Sequence, residues 1–209
     1  MDDTVEHAEQ MRDHWWWRPG WRAGRHFYAC HFTFEDQPLV HRLVSTYQSE
    51  LVGFNGLDLI PAPWLHLTMQ GIGFVDEVSD EQVRRVIDAV AAGLGRVERP
   101  VVTFGSAVVR PEAVYLPVEP AGAIVAIREI VRAAVSGIVG ALEPAQPYTP
   151  HVSVAYANRP QPASPIAAAL PILDPVTVTL DRVQLLHFHR DRRMYEWTHA
   201  VALPIGANA

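Results

Sequence analysis

The chain has 209 residues, 49% hydrophobic and 19% charged, which excludes disorder throughout and fits one globular domain, or two small lobes sharing a core. Its formal net charge of -6 provides no global positive field to hold a long polyanion, so duplex DNA is not an expected partner and any nucleic-acid contact must be local. A lone cysteine, Cys30, forbids an intrachain disulfide, the acidic start MDDTVEHAEQ does not read as a secretory signal, and the most apolar stretch is broken by Arg128, Glu129 and Arg132; no membrane span and a cytoplasmic location are expected.

Residues 1–24 lack periodicity and carry the cluster HWWWRPGWRAGR, which reads as an N-terminal arm. Its tryptophans, Trp15, Trp16, Trp17 and Trp21, interleave with Arg18, Arg22 and Arg25. Such a segment can stack on bases, or dock on the protein's own surface or on another subunit, and docking is the preferred expectation. The body begins near Arg25 with the strand-like RHFYACHFTF. Asp36 is a candidate N-cap with Pro38 in the first turn of a helix, whose stripe is Leu39, Val40, Leu43, Val44, Tyr47 and Leu51. Gly53 and FNGLDLIPAP break that helix. WLHLTMQ then alternates as a half-buried strand, with Leu65, Leu67 and Met69 on one face and His66, Thr68 and Gln70 on the other.

Ser79 and Gln82 spell a capping box for a second helix with the stripe Val83, Val86, Ile87, Val90 and Leu94, ended with help from Gly93 and Gly95. Two β-rich runs, VVTFGSAVV and AVYLPVE, precede a long helix with the stripe Ile124, Ile127, Val131, Ala134, Val135 and Ile138. After the loop EPAQPYTP come the strand HVSVAYA, a short helix near 166–170, and two final strands, VTVTLDRVQLLHFH and MYEWTHAVALP. The order is βαβαβ twice, with one strand added. An offset of 85 lays the helix near Gln37 on the one near Gly122 and carries residues 113–118 onto 198–203, so the chain reads as a structural duplication, about 25–110 and 111–204 within a body spanning 25–209.

With ten histidines and sixteen serines plus threonines, chance alone supplies about one H-x-[ST] triplet. Three occur: His31-Phe32-Thr33, His66-Leu67-Thr68 and His151-Val152-Ser153. The offset makes the last two equivalent, whereas His31 falls on Leu116. Residues two apart on a strand share a face about 6.6 to 7 Å apart, so each histidine and its hydroxyl address one pocket, and two lobes about a pseudo-twofold axis would turn both pairs toward one cleft. Two imidazoles can serve as base and acid near neutral pH, while Thr68 and Ser153 donate to the non-bridging oxygens of a phosphoryl group. No metal or cofactor is required for that chemistry.

At HLTM and HVSV the chain resembles the 2H phosphoesterase superfamily, the 2′-5′ RNA ligase-like and cyclic phosphodiesterase proteins with two H-x-[ST] motifs. In element order the resemblance spans about residues 25–204. It implies an α+β bilobal pseudo-twofold fold with antiparallel sheets around a central cleft and helices outside. It also implies His66, Thr68, His151 and Ser153 as catalytic residues, hydrolysis of a 2′,3′-cyclic phosphate on RNA or a nucleotide to a 2′-phosphate, and in some members 2′-5′ joining. Some members carry an arginine shortly after the second motif; here Tyr156 takes a nearby place and Arg159 is a candidate substitute.

Trp64, Tyr148 and Tyr156 are candidates for stacking on a substrate base, with plain packing as the bland alternative. His187-x-His189 has a zinc-like spacing but no evident third ligand, and ordinary strand histidines are the preferred expectation. The following RDRR is expected at a solvated hairpin tip rather than on phosphate. The rival to an enzyme is a binding protein that keeps the same cleft for a nucleotide or RNA end.

Overall fold

The computed structural model describes residues 6–142 and 147–206; the first five residues of the arm, the opening EPAQ of the proline-punctuated loop and the last three residues lie outside this range. The strands are β1 (Gln10–Met11), β2 (Phe27–Thr33), β3 (Leu57–Leu59), β4 (His66–Phe74), β5 (Val101–Phe104), β6 (Val108–Val109), β7 (Ala113–Glu119), β8 (His151–Ala157), β9 (Gln161–Pro162), β10 (Val176–Thr179), β11 (Arg182–His189) and β12 (Glu196–Pro204). The helices are α1 (Pro38–Leu51), α2 (Asp80–Leu94), α3 (Ala121–Val139) and the short α4 (Ser164–Ala169).

Apolar periodicity explains the helices. Val40, Leu43, Val44, Tyr47 and Leu51 of α1 are buried as the spacing predicts, although Leu39 at the start of that stripe is 44% exposed. The N-cap of α1 is Gln37 rather than Asp36, with no side-chain cap, because the helix begins one residue later, at Pro38; the Asp36 carboxylate accepts from Arg182 instead. The Ser79–Gln82 capping box of α2 forms with both reciprocal bonds. Gly93 does not end α2 but lies within it, where an added methyl would stand 2.5 Å from Ile130, so it lets α2 approach α3 closely.

Two antiparallel sheets carry the fold, ordered β12-β11-β2-β4 and β10-β5-β7-β8-β3, with β6 paired to β7. The duplication is visible in this pairing. Strands β2 and β4 pair as β7 and β8 do, and β11 flanks β2 as β5 flanks β7. Each half therefore gives strands to the other half's sheet, β3, β5 and β6 to that of β7 and β8 and β11 and β12 to that of β2 and β4, which ties the two lobes together through the chain itself. The run VTVTLDRVQLLHFH accordingly divides at Leu180-Asp181: β10 joins one sheet and β11 the other. Strand β12 flanks β11 as β10 flanks β5, so its topological counterpart is β10 rather than β7 as the bare offset suggests.

Register corrects a second correspondence. In the first half Thr33 faces His66 and His31 faces Thr68; in the second Pro117 faces His151 and Tyr115 faces Ser153. His31 thus matches Tyr115, not Leu116, because the offset along this strand is one residue shorter than that between the motifs.

The N-terminal segment packs on the body. Met11 and Trp15 belong to the same core cluster as the sheet interiors, β1 pairs with β9, and the Trp15 indole N–H donates to Asp58. Gly20, at φ 81, sits where a Cβ would lie 2.6 Å from the Phe74 ring, so this approach of Trp21 toward Phe27, Phe74 and Phe188 calls for glycine. Trp16 and Trp17 remain half-exposed. Among the described residues no helix is long and apolar enough to cross a membrane.

Candidate active site

Strands β4 and β8 belong to different sheets yet adjoin each other, and a cavity of about 780 Å³ opens over them, lined by His66, Thr68, His151 and Ser153. On each strand the intervening residue, Leu67 or Val152, is fully buried and fastens the opposite face to the core. The period-two alternation of a strand is what keeps each histidine and its hydroxyl on the cavity side.

The two histidines are held in the same way. The His66 Nδ1–H donates to the carbonyl of Trp64 at 2.8 Å, and the His151 Nδ1–H donates to the carbonyl of Thr149 at 2.7 Å. Because a carbonyl only accepts, each contact assigns the proton to Nδ1 and leaves Nε2 as the lone-pair nitrogen. Burial lowers the pKa of His66 to about 4, the Trp64 carbonyl opposing and His151 adding to the fall; burial lowers that of His151 as well, with the Thr149 carbonyl opposing. With the cleft unliganded, both rings are therefore biased toward the neutral form.

The neighbours differ between the halves. His31 meets His66 edge-on with ring centroids 4.8 Å apart, while Tyr115 stacks on His151 at 4.3 Å. His31 is fully enclosed, its Nδ1 has no hydrogen-bond partner, and burial holds its pKa well below the ordinary value.

The other expected residues divide. Tyr148 and Tyr156 line the cavity; Trp64 and Arg159 do not. The Tyr148 hydroxyl donates to the Thr68 carbonyl at 2.7 Å and its ring lies under Arg128, so it braces the first motif from the loop after α3. Tyr156 is buried within hydrogen-bond reach of Ser153 and stacks on His14 at 4.1 Å. Trp64 contributes its carbonyl to His66 and packs its ring edge-on against Trp197. Arg159 is exposed, in the turn after β8. His187 donates to or accepts from His26 at 2.8 Å, and among the described residues no group of three His, Cys, Asp or Glu is arranged to hold a metal ion.

Several lining residues escaped the sequence. Glu112, just before β7, accepts from Arg12 at 2.9 Å and Arg18 at 3.0 Å and lies 3.3 Å from His14 Nδ1; these partners, His14 foremost, hold its carboxyl at about 2. His14 Nε2 lies 3.0 Å from the Tyr195 hydroxyl, and the Tyr195 ring faces His66 edge-on at 5.6 Å. Arg190, expected at a solvated hairpin tip, is instead 4% exposed: it donates to the carbonyls of His14 and Trp16 amid Trp15, Trp21 and Tyr195, clasping the N-terminal segment from behind. Arg192 keeps to the surface, paired with Glu196. Only the unusual Trp/Arg run hinted at this wall; nothing local marks Glu112 or Tyr195.

A cleft between pseudo-symmetric sheets with an H-x-[ST] pair from each defines a two-histidine arrangement. The sequence profile of the 2′-5′ RNA ligase superfamily matches residues 35–192, and the chain belongs to that superfamily, the 2H phosphoesterases. Among solved structures it is similar to TT0787 of Thermus thermophilus, with a TM-score of 0.60 and 22% identity over 86% of this chain and 97% of that one. It is similar also to apo LigT of E. coli, with a TM-score of 0.57 and 14% identity over 85% and 97%, and to the MHV ns2 PDE domain, with a TM-score of 0.53 and 14% identity over 78% and 99%. No curated protein sequence matches significantly. Identities at this level speak for the fold.

Proposed function

We propose that the cleft hydrolyses a cyclic phosphodiester, the 2′,3′-cyclic phosphate of a nucleotide or RNA terminus, to a 2′-phosphate. One imidazole Nε2 takes a proton from water as its oxygen bonds to phosphorus. The P–O3′ bond breaks in line, and the other histidine, entering as imidazolium, protonates the departing 3′ oxygen. Thr68 and Ser153 donate to the non-bridging oxygens as their charge rises, and every proton is accounted for by these side chains and water. The observation that carries this proposal is the matched pair of half-sites, each with a histidine pinned through Nδ1 and a hydroxyl two residues on, opening on one cavity. Solved relatives lend support for the ligand class: LigT has been crystallised with 3′-AMP, with NADP+ and with ATP.

Incubation with cytidine 2′,3′-cyclic phosphate, followed by chromatography and phosphorus NMR, tests it. The expected product is the 2′-phosphate alone. Release of the 3′-phosphate would overturn the regiochemistry, and saturable binding with no product would favour the non-catalytic nucleotide-binding protein.

A further inference from the structure

The cavity wall contributed by the N-terminal segment is cationic in an acidic chain. Arg12, Arg18 and Arg110 line the cavity, and Glu112 is the one carboxylate among its described lining residues. A guanidinium offers five N–H donors, and the contacts to Glu112 use only some of them; the buried Nε of Arg18 has no partner. Arg110 donates through Nε to the Tyr115 hydroxyl and keeps its remaining donors. The wall is also built rather than draped. Glu112 joins Arg12 to Arg18, Arg190 clasps the backbone at His14 and Trp16, and Trp15 is fastened to Asp58.

Glu112 immediately precedes β7, three residues before Tyr115, which faces Ser153, and the arginines it holds line the same cavity as the two motifs. A guanidinium pair with spare, forked donors is the side-chain chemistry suited to phosphate oxygens.

We propose that Arg12 and Arg18, with Arg110 beside them, form a subsite for a second phosphate group, so that the substrate is a cyclic phosphodiester bearing a further phosphate rather than a nucleoside cyclic phosphate alone. This deepens the phosphoesterase proposal and rests on it for the identity of the first phosphate. The second can be a terminal monoester or the next phosphodiester of an RNA chain; the recognising chemistry is the same.

The test is equilibrium binding, which does not depend on turnover. Calorimetric titration of the full chain compares adenosine 2′-monophosphate, adenosine 2′,5′-bisphosphate and adenylyl-adenosine 2′-phosphate. The bisphosphate is expected to bind about tenfold tighter than the monophosphate, with a steeper loss of affinity as salt rises. Arg12→Ala with Arg18→Ala should bring that ratio to about one, while Arg84→Ala, on the outer face of α2, should keep it at about tenfold. Because the double variant strips Glu112 of two partners, Arg12→Gln alone, at a side chain 70% exposed, gives a second reading and should lower the ratio about threefold. A gain shared by the dinucleotide assigns the second phosphate to an RNA chain; a gain confined to the bisphosphate assigns it to a terminal monoester. Equal affinity for all three ligands in the unaltered protein, no binding of any, or a ratio unchanged in the arginine variants would overturn the subsite. A retained ratio in a protein that turns over no cyclic phosphate would instead overturn the catalytic proposal alone.

Discussion

The two half-sites share a backbone device and differ in what stands beside it. In both, a carbonyl two residues upstream fixes the histidine tautomer and a strand directs a hydroxyl to the same side. In the first half the flanking ring is the enclosed His31; in the second it is Tyr115, whose hydroxyl accepts from Arg110. The lesson is that the two halves share what orients the imidazoles and differ in the packing beside them, so their roles need not be interchangeable.

The largest effect expected across this comparison is at the histidines themselves. His66→Ala and His151→Ala should each lower kcat by about 10²- to 10⁴-fold, the usual contribution of general acid-base catalysis, with far-UV circular dichroism unchanged. The double variant should be little worse than the poorer single one, because the pair acts as a unit. A half-site whose loss left kcat intact would show that the symmetry is only structural.

A second measurement separates the free and bound states. Both histidines lie below their ordinary value of 6.5 when the cleft is unliganded, His66 at about 4, so kcat/KM is expected to peak below pH 6.5. A bound phosphate anion favours the imidazolium, which should move the bell for kcat to higher pH. The same depression makes stability fall with acid: the unfolded chain protonates at His66 below about 6.5 while the folded chain resists down to about 4, so unfolding free energy should decline through that window. His66→Gln should flatten the decline in a urea titration. A kcat/KM peak at or above pH 6.5 would contradict the burial-driven shift, and coincident bells for kcat and kcat/KM would contradict the effect of the bound anion.

The smallest effects belong to the flanking rings. Tyr115→Leu removes a stacked contact of about 0.5 to 1.5 kcal/mol and should lower kcat about three- to tenfold with KM little changed, through a looser His151. His31→Tyr copies the second half into the first and should alter kcat by less than about threefold. A collapse of activity in His31→Tyr would mean that His31 does more than pack.

Much of this was legible from local pattern. The helix stripes, the α2 capping box and the alternation in HLTM and HVSV all follow from side-chain periodicity, which depends only on neighbours in the chain. Where local pattern misled, a distant partner had intervened. Asp36, a candidate cap in sequence, stands one residue before the N-cap and pairs with Arg182, and the run from Val176 to His189 was cut because its two ends pair with strands of different sheets. Likewise the one-residue slip that matches His31 with Tyr115 exists only in the pairing of strands.

The amino-acid order by itself determined which histidines carry a hydroxyl on the same strand face, since a period of two is a property of the extended backbone. Only the tertiary structure decided what surrounds them. Arg12, His14, Arg18, Glu112 and Tyr195 come from segments about 80 to 180 residues apart and converge because the exchanged strands and the Arg190 clasp bring those segments to one wall. Long-range convergence of this kind is set by packing and charge pairing across the whole fold, which no spacing along the chain encodes.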